Sequence, residues 1–154
     1  MVITFCGHSN YVGNSLDEGV LFDFLENTVK NEYCEFFLGG YGGFDAFAYS
    51  LVKKFQKAHK NCRLAYITPY NTEAHLKRVA ETAKFDFIIY PPLESVPKRY
   101  AILKRNEWII EKADIIVAFV NHSYGGAYKM LSRAIKNGKK IFNLAAQSKN
   151  SDTP

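Results

Sequence analysis

Apolar residues along the chain gather in six short runs, and between the runs they recur at intervals of three and four. The runs span Val2 to Cys6, Cys34 to Leu38, Arg63 to Thr68, Phe85 to Tyr90, Asp114 to Val120 and Lys140 to Leu144. They are rich in β-branched and aromatic residues, which suit a pleated surface, and they predict strands. The segments between them, Ser15 to Lys30, Phe44 to His59, Thr72 to Ala83, Pro97 to Lys112 and Gly125 to Asn137, predict helices. In the first, Leu16, Val20, Leu21, Phe24 and Leu25 form one apolar stripe. Pro97 suits a first helical turn, and Asn137 with Gly138 suits a helix end.

Regular alternation of strand and helix implies parallel strands joined by right-handed crossovers, with helices on both faces of the sheet. The run Ile115, Ile116, Val117, Ala118, Phe119, Val120 is apolar throughout, as a strand buried on both faces requires. The fold class is therefore α/β, a Rossmann-like doubly wound and mostly parallel sheet of about six strands. Residues 1–146 are expected to form a single domain, and 147–154 a disordered tail.

Composition supports a self-sufficient core: the 154 residues are 47% hydrophobic and 23% charged, far from the signature of disorder. Cys6, Cys34 and Cys62 are widely separated, so they are expected to be buried free thiols of a reducing cytoplasm. No paired Cys or His at metal-ligand spacing occurs, and neither a metal nor a cofactor is called for. The opening residues lack a signal-peptide pattern and no apolar run approaches membrane-spanning length, so neither export nor a membrane span is expected. The net charge of +5 leans toward anionic partners. The oligomeric state is left open, a homo-oligomer included.

In sheets of this kind ligands sit outside the carboxyl ends of the strands. After the first strand come Gly7, His8 and Ser9; after the second, Gly39, Gly40, Tyr41, Gly42, Gly43 and Asp45; after the fifth, Asn121, Ser123, Tyr124, Gly125 and Gly126. Glycines let backbone N–H groups approach an anion, and a following helix adds unsatisfied donors, so these turns are candidate phosphate grips. Four glycines between Gly39 and Gly43 exceed what a tight turn needs. Asp45 reads equally as a helix-start carboxylate and as an acceptor for a ribose hydroxyl or base edge. His8 is read as a polar pocket group, while His59 and His75 are expected to be exposed on their helices. Tyr11, Tyr41, Tyr70 and Tyr124 offer faces that could stack on a base or pack over the sheet edge. Neither a Walker lysine pattern nor a hydrolase triad order is present. Lys53, Lys54, Lys57 and Lys60 lack interleaved aromatics and read as a solvated helix face.

Three segments carry a family resemblance. The run Leu38, Gly39, Gly40, Tyr41, Gly42, Gly43, Phe44, Asp45 is similar to a G-G-x-x-G-x-D turn, Arg105, Asn106, Glu107, Trp108, Ile109, Ile110 to an R-N-x-x-I-I segment, and Ser123 to Ala127 to a second small-residue turn. Over nearly its whole length the chain resembles the SLOG superfamily, which groups DprA/Smf proteins with the LONELY GUY phosphoribohydrolases, and most closely its small YpsA-like members. The resemblance implies a pocket for a nucleotide or nucleotide-derived ligand; Arg105 and Asn106 are further candidates to line it, with Arg105 pairing with a phosphate if its helix start faces the pocket. A LONELY GUY-like N-glycosidase would need a carboxylate at the sugar, for which Asp45 and Glu107 are the candidates. DprA-like binding of single-stranded DNA is expected to be weak or absent.

Overall fold

The computed structural model describes residues 1–148. Six strands, β1 (Val2–Gly7), β2 (Cys34–Leu38), β3 (Cys62–Ile67), β4 (Phe87–Ile89), β5 (Ile115–Phe119) and β6 (Lys140–Asn143), form one sheet in the order β4-β3-β2-β1-β5-β6. Every pair is parallel. Between them run α1 (Ser15–Val29), α2 (Gly43–Ala58), α3 (Glu73–Thr82), α4 (Ala101–Lys112, preceded by a short 3₁₀ turn) and α5 (Gly125–Lys136). This is the doubly wound α/β architecture that the alternation predicts.

The two faces of the sheet can be read from the period-two alternation of the central strands. Ile3, Phe5, Phe36, Leu38, Leu64 and Val117 pack against α1 and α2, through Leu21 and Leu25 of one and Leu51 and Phe55 of the other. On the opposite face Cys6, Ile116 and Ala118 meet Ile110 of α4 and Leu131 of α5, and Phe37, Ala65 and Ile67 meet Ile109. Each fully buried Leu or Phe contributes about 2 kcal/mol relative to exposure, so both helix layers are firmly seated. Helix α3 differs, having no buried residue.

Several boundaries depart from the sequence pattern. Strand β4 is three residues long because Asp86 turns its carboxylate onto the Leu64 N–H at 2.7 Å, taking a donor that a longer ladder would have used. Leu16 is 72% exposed, so the buried stripe of α1 is Leu21, Leu25 and Val29. Gln147 and Ser148, expected to begin the tail, instead close a sixth helix, α6 (Leu144–Ser148), whose Leu144 and Ala145 are buried. The rest of the expected tail, 149–154, lies outside the described residues. All three cysteines are free and buried. No helix among the described residues is long and apolar enough to cross a membrane.

The strand order reverses direction at β1 and β5. Gly7 pairs with Phe119 in register, and the His8 N–H continues the ladder to the Phe119 carbonyl at 3.3 Å. Beyond that point the chain leads into α1 on one face and α5 on the other, so the two loops diverge and open a crevice between them.

Candidate functional site

That crevice is a cavity of about 820 Å³, large enough for a mononucleotide-sized ligand. The end of β1 and the loop after it supply Gly7, His8 and Ser9, and the loop after β2 with the first turn of α2 supplies Gly39, Gly40, Tyr41 and Asp45. Arg105 and Asn106 reach it from α4, and Tyr124, Gly125 and Gly126 from the start of α5. Those twelve predicted residues come together from four separate parts of the chain.

Five others do not line it. Gly42 and Gly43 turn toward the loop after β1: the Gly43 N–H donates to the Ser9 carbonyl at 2.7 Å, and a Cβ at Gly43 would lie 2.1 Å from the Tyr11 carbonyl oxygen. Their role is close approach between two loops. Asn121 works through the histidines, its N–H donating to His8 Nε2 at 3.1 Å and its Oδ1 meeting His122 Nδ1 at 3.0 Å. Ser123 is exposed outside the cavity. Glu107, the second candidate catalytic carboxylate, lies on the side of α4 that meets α5 and pairs with Arg133 at 2.9 Å and Lys104 at 3.0 Å. It is removed from the site by the helical turn, since its neighbours Arg105 and Asn106 occupy the cavity side.

The β2–α2 turn is occupied by the protein itself. Asp45 curls back so that its Oδ2 accepts the Tyr41 N–H at 2.9 Å. Burial pushes its carboxyl up to about 6, opposed by the Tyr41 N–H, the Arg105 charge and the Gly40 N–H. The donors expected to grip a phosphate here are therefore directed at Asp45 and at Ser9. Gly40 holds φ at +73°, where a side chain would be strained and would meet the Tyr66 ring at 2.6 Å.

Arg105 is only 4% exposed. Its Nη1 donates to the carbonyls of Gly39 (3.0 Å) and Ile67 (2.8 Å), and its Nε donates to Asn106 Oδ1 (2.8 Å). Burial lowers its pKa, against the pull of Tyr66 and Asp45. The guanidinium thus ties the ends of β2 and β3 to α4, a structural duty the sequence reading did not assign.

The other cavity wall is aromatic. The His8 and His122 rings stack with centroids 3.6 Å apart and 9° between planes, and His122 stacks on Tyr124 at 4.0 Å. The His8 pKa is lowered by burial and then by the charge His122 would carry. Because His8 Nε2 accepts the Asn121 N–H, its proton resides on Nδ1. At the start of α5 no side chain caps the helix, and a Cβ at Gly125 or Gly126 would meet nothing within 4 Å. The first-turn N–H groups there have no side-chain cap, and Gly125 and Gly126 line the cavity.

Among the loop tyrosines, Tyr11 does not present a face to a ligand: it is 8% exposed, packed on Phe44 and Phe119, with its hydroxyl donating to Asp17 at 2.7 Å. His75 is half-buried rather than exposed, its Nε2 3.2 Å from the Tyr66 hydroxyl, and both residues line the cavity. His59 is also covered, stacked on Phe55 and paired with Glu26 at 2.7 Å. Tyr66 was legible in principle, since it sits near the carboxyl end of a central strand; His75 carried no such signal. Cys6 lines the cavity as a neutral thiol, raised to about 12 chiefly by burial. Among the described residues no three His, Cys, Asp or Glu side chains gather as metal ligands.

Fold and site define a doubly wound α/β protein with an open crevice at its topological switch point. No protein-family model and no curated protein matches the chain. Among solved structures, the Chlamydomonas rheinhardtii Moco carrier protein is similar at 13% identity and a TM-score of 0.48, with 94% of this chain and 75% of that chain covered.

Proposed function

We propose that the chain binds a nucleotide or nucleotide-derived small molecule in the switch-point cavity, as the SLOG resemblance of its glycine turns implies. The observation that carries this reading is the uncapped, glycine-lined start of α5, which opens onto the same cavity as the half-buried Asp45 carboxylate and a wall of aromatic rings. The first-turn N–H groups of α5 would take the phosphate, and the Asp45 carboxylate would accept a ribose hydroxyl or base amino group. One helix terminus contributes about 0.3–1 kcal/mol to a nearby charge, against about 8 kcal/mol for micromolar binding, so the contacts must act together.

Gly126→Val tests this cleanly. A Cβ at this position meets no atom within 4 Å beyond its own helical turn, so the variant is expected to keep the fold while filling the approach to α5. Relief of the glycine in the helix is expected to hold stability level or raise it by a few tenths of a kcal/mol. Calorimetry against nucleoside monophosphates, cyclic nucleotides and ADP-ribose derivatives is expected to find a ligand that Gly126→Val weakens about tenfold or more. The reading fails if no such compound shifts the wild-type melting curve at millimolar concentration.

The elevated Asp45 pKa favours a second reading, N-glycosidic bond cleavage of nucleoside monophosphates, since a carboxyl poised near neutrality suits proton transfer. Release of free base, seen by chromatography and abolished in Asp45→Asn, would establish it; binding without release leaves the first reading. Single-stranded nucleic acid fits less well. Lys54 pairs with Glu18 at 2.6 Å and Lys53 donates to the Lys84 carbonyl, so the basic face of α2 is partly engaged. Oligonucleotide binding by anisotropy is expected to vanish at physiological salt.

A further inference from the structure

The pile of rings that begins in the core ends in the cavity. His8 is anchored edge-on against Phe119 at 6.4 Å and by the Asn121 N–H; His122 lies flat upon it, and Tyr124 lies on His122. Tyr124 itself is 70% exposed and lines the cavity. Its ring is therefore supported on one face and open on the other.

The other tyrosines of the cavity lack that combination. Tyr66 is buried, with its hydroxyl against His75. Tyr70 has the Lys98 ammonium over its ring at 5.7 Å and the His75 ring edge-on at 5.4 Å. Tyr41 is exposed, and among the described residues no ring stacks on it. Position 124 is also the N-cap of α5, where Ser, Thr, Asp or Asn would satisfy a first-turn donor and tyrosine does not. The chain thus places a large ring where a cap would stabilise the helix.

We infer that the open face of Tyr124 is the seat of a planar heteroaromatic ring, the base of the ligand, which stacks as a further layer on the His8–His122–Tyr124 pile. This rests on the ligand reading above and adds to it a ring-specific subsite. A ring held in place by two others loses little freedom when a base settles on it, and base–aromatic stacking tolerates any base because each has a π-face. The uncapped N–H groups that follow Tyr124 would lie next to the sugar-phosphate end of the same molecule.

The experiment compares AMP, GMP, CMP and UMP with ribose 5-phosphate by calorimetry, in wild type, Tyr124→Phe and Tyr124→Ala. The exposed position makes both variants compatible with folding, to be verified by circular dichroism. Nucleotides are expected to bind about tenfold or more tightly than ribose 5-phosphate. Tyr124→Ala should lower nucleotide affinity by a similar factor without changing that of ribose 5-phosphate, while Tyr124→Phe stays within about twofold of wild type. Nucleotides that bind Tyr124→Ala as well as wild type, or no better than ribose 5-phosphate, would overturn the ring subsite while leaving the cavity as an anion site. If none of the five compounds binds, the ring subsite is overturned, while the ligand reading is decided separately by the wider screen that includes cyclic nucleotides and ADP-ribose derivatives.

Discussion

Asp45→Asn is expected to gain about 3 kcal/mol on the wild-type chain as the pH rises from about 4 to about 8. The carboxyl is raised from 3.8 to about 6, mainly by burial, despite the Tyr41 N–H and the Arg105 charge. A raised acid pKa means the folded state holds the proton more tightly than the unfolded chain. Below the unfolded value both states are protonated and Asp45 exacts nothing. Between that value and about 6 the unfolded chain ionises first, so folding stability drops, and above about 6 the full penalty of two pKa units remains. Asparagine keeps an acceptor for the Tyr41 N–H without carrying charge. Urea unfolding of both proteins across this range checks the prediction, since other titrating groups cancel in the difference. A difference that stays flat with pH would show that Asp45 ionises in the folded chain as it does in water. Loss of ligand affinity in the stabilised variant would mark the carboxylate as a group kept for binding at the expense of stability.

The sequence points to a site outside the carboxyl ends of the strands, because strand–helix alternation and glycine content are local patterns, whereas the switch point emerges only with the order of the strands in the sheet. Gly39, Gly40, Gly125 and Gly126 stand in the cavity wall as their placement after β2 and β5 suggests. It does not reveal where each N–H points. Gly43 looks like Gly40 in the sequence, yet its N–H goes to Ser9, while the Tyr41 N–H goes to Asp45. That partition depends on how α2 docks against the loop after β1, a tertiary contact between residues more than thirty positions apart. Glu107 and Arg105 are two residues apart in one motif, and the helix sends one to α5 and the other into the cavity. The ring pile escapes sequence reading for the same reason: His8 and His122 meet only because β1 and β5 are neighbours. Helix α6, at five residues, is too short to show a period.

Arg105→Met is expected to destabilise the chain by about 3 kcal/mol at pH 8 and by less at pH 5. Methionine matches the length of the arginine stem and removes the desolvation of a buried cation. It also leaves the carbonyls of Gly39 and Ile67 and the Asn106 Oδ1 without the donors they have now. A buried acceptor left unsatisfied costs about 1–3 kcal/mol, so these losses outweigh the relief. The pH dependence comes from Asp45, whose ionised form is favoured by the Arg105 charge. Without that charge its pKa rises beyond about 6 and ionisation at pH 8 becomes more unfavourable, whereas at pH 5 the carboxyl is already largely protonated in the folded chain. The double variant Arg105→Met with Asp45→Asn is therefore expected to be more stable at pH 8 than the sum of the single changes implies, and additive at pH 5. Equilibrium unfolding of the four proteins at both pH values gives the coupling directly. Additivity at pH 8 would mean that Arg105 acts on the site through its carbonyl bonds alone, and that the charge it places beside Asp45 has no part in holding that carboxylate ionised for a ligand.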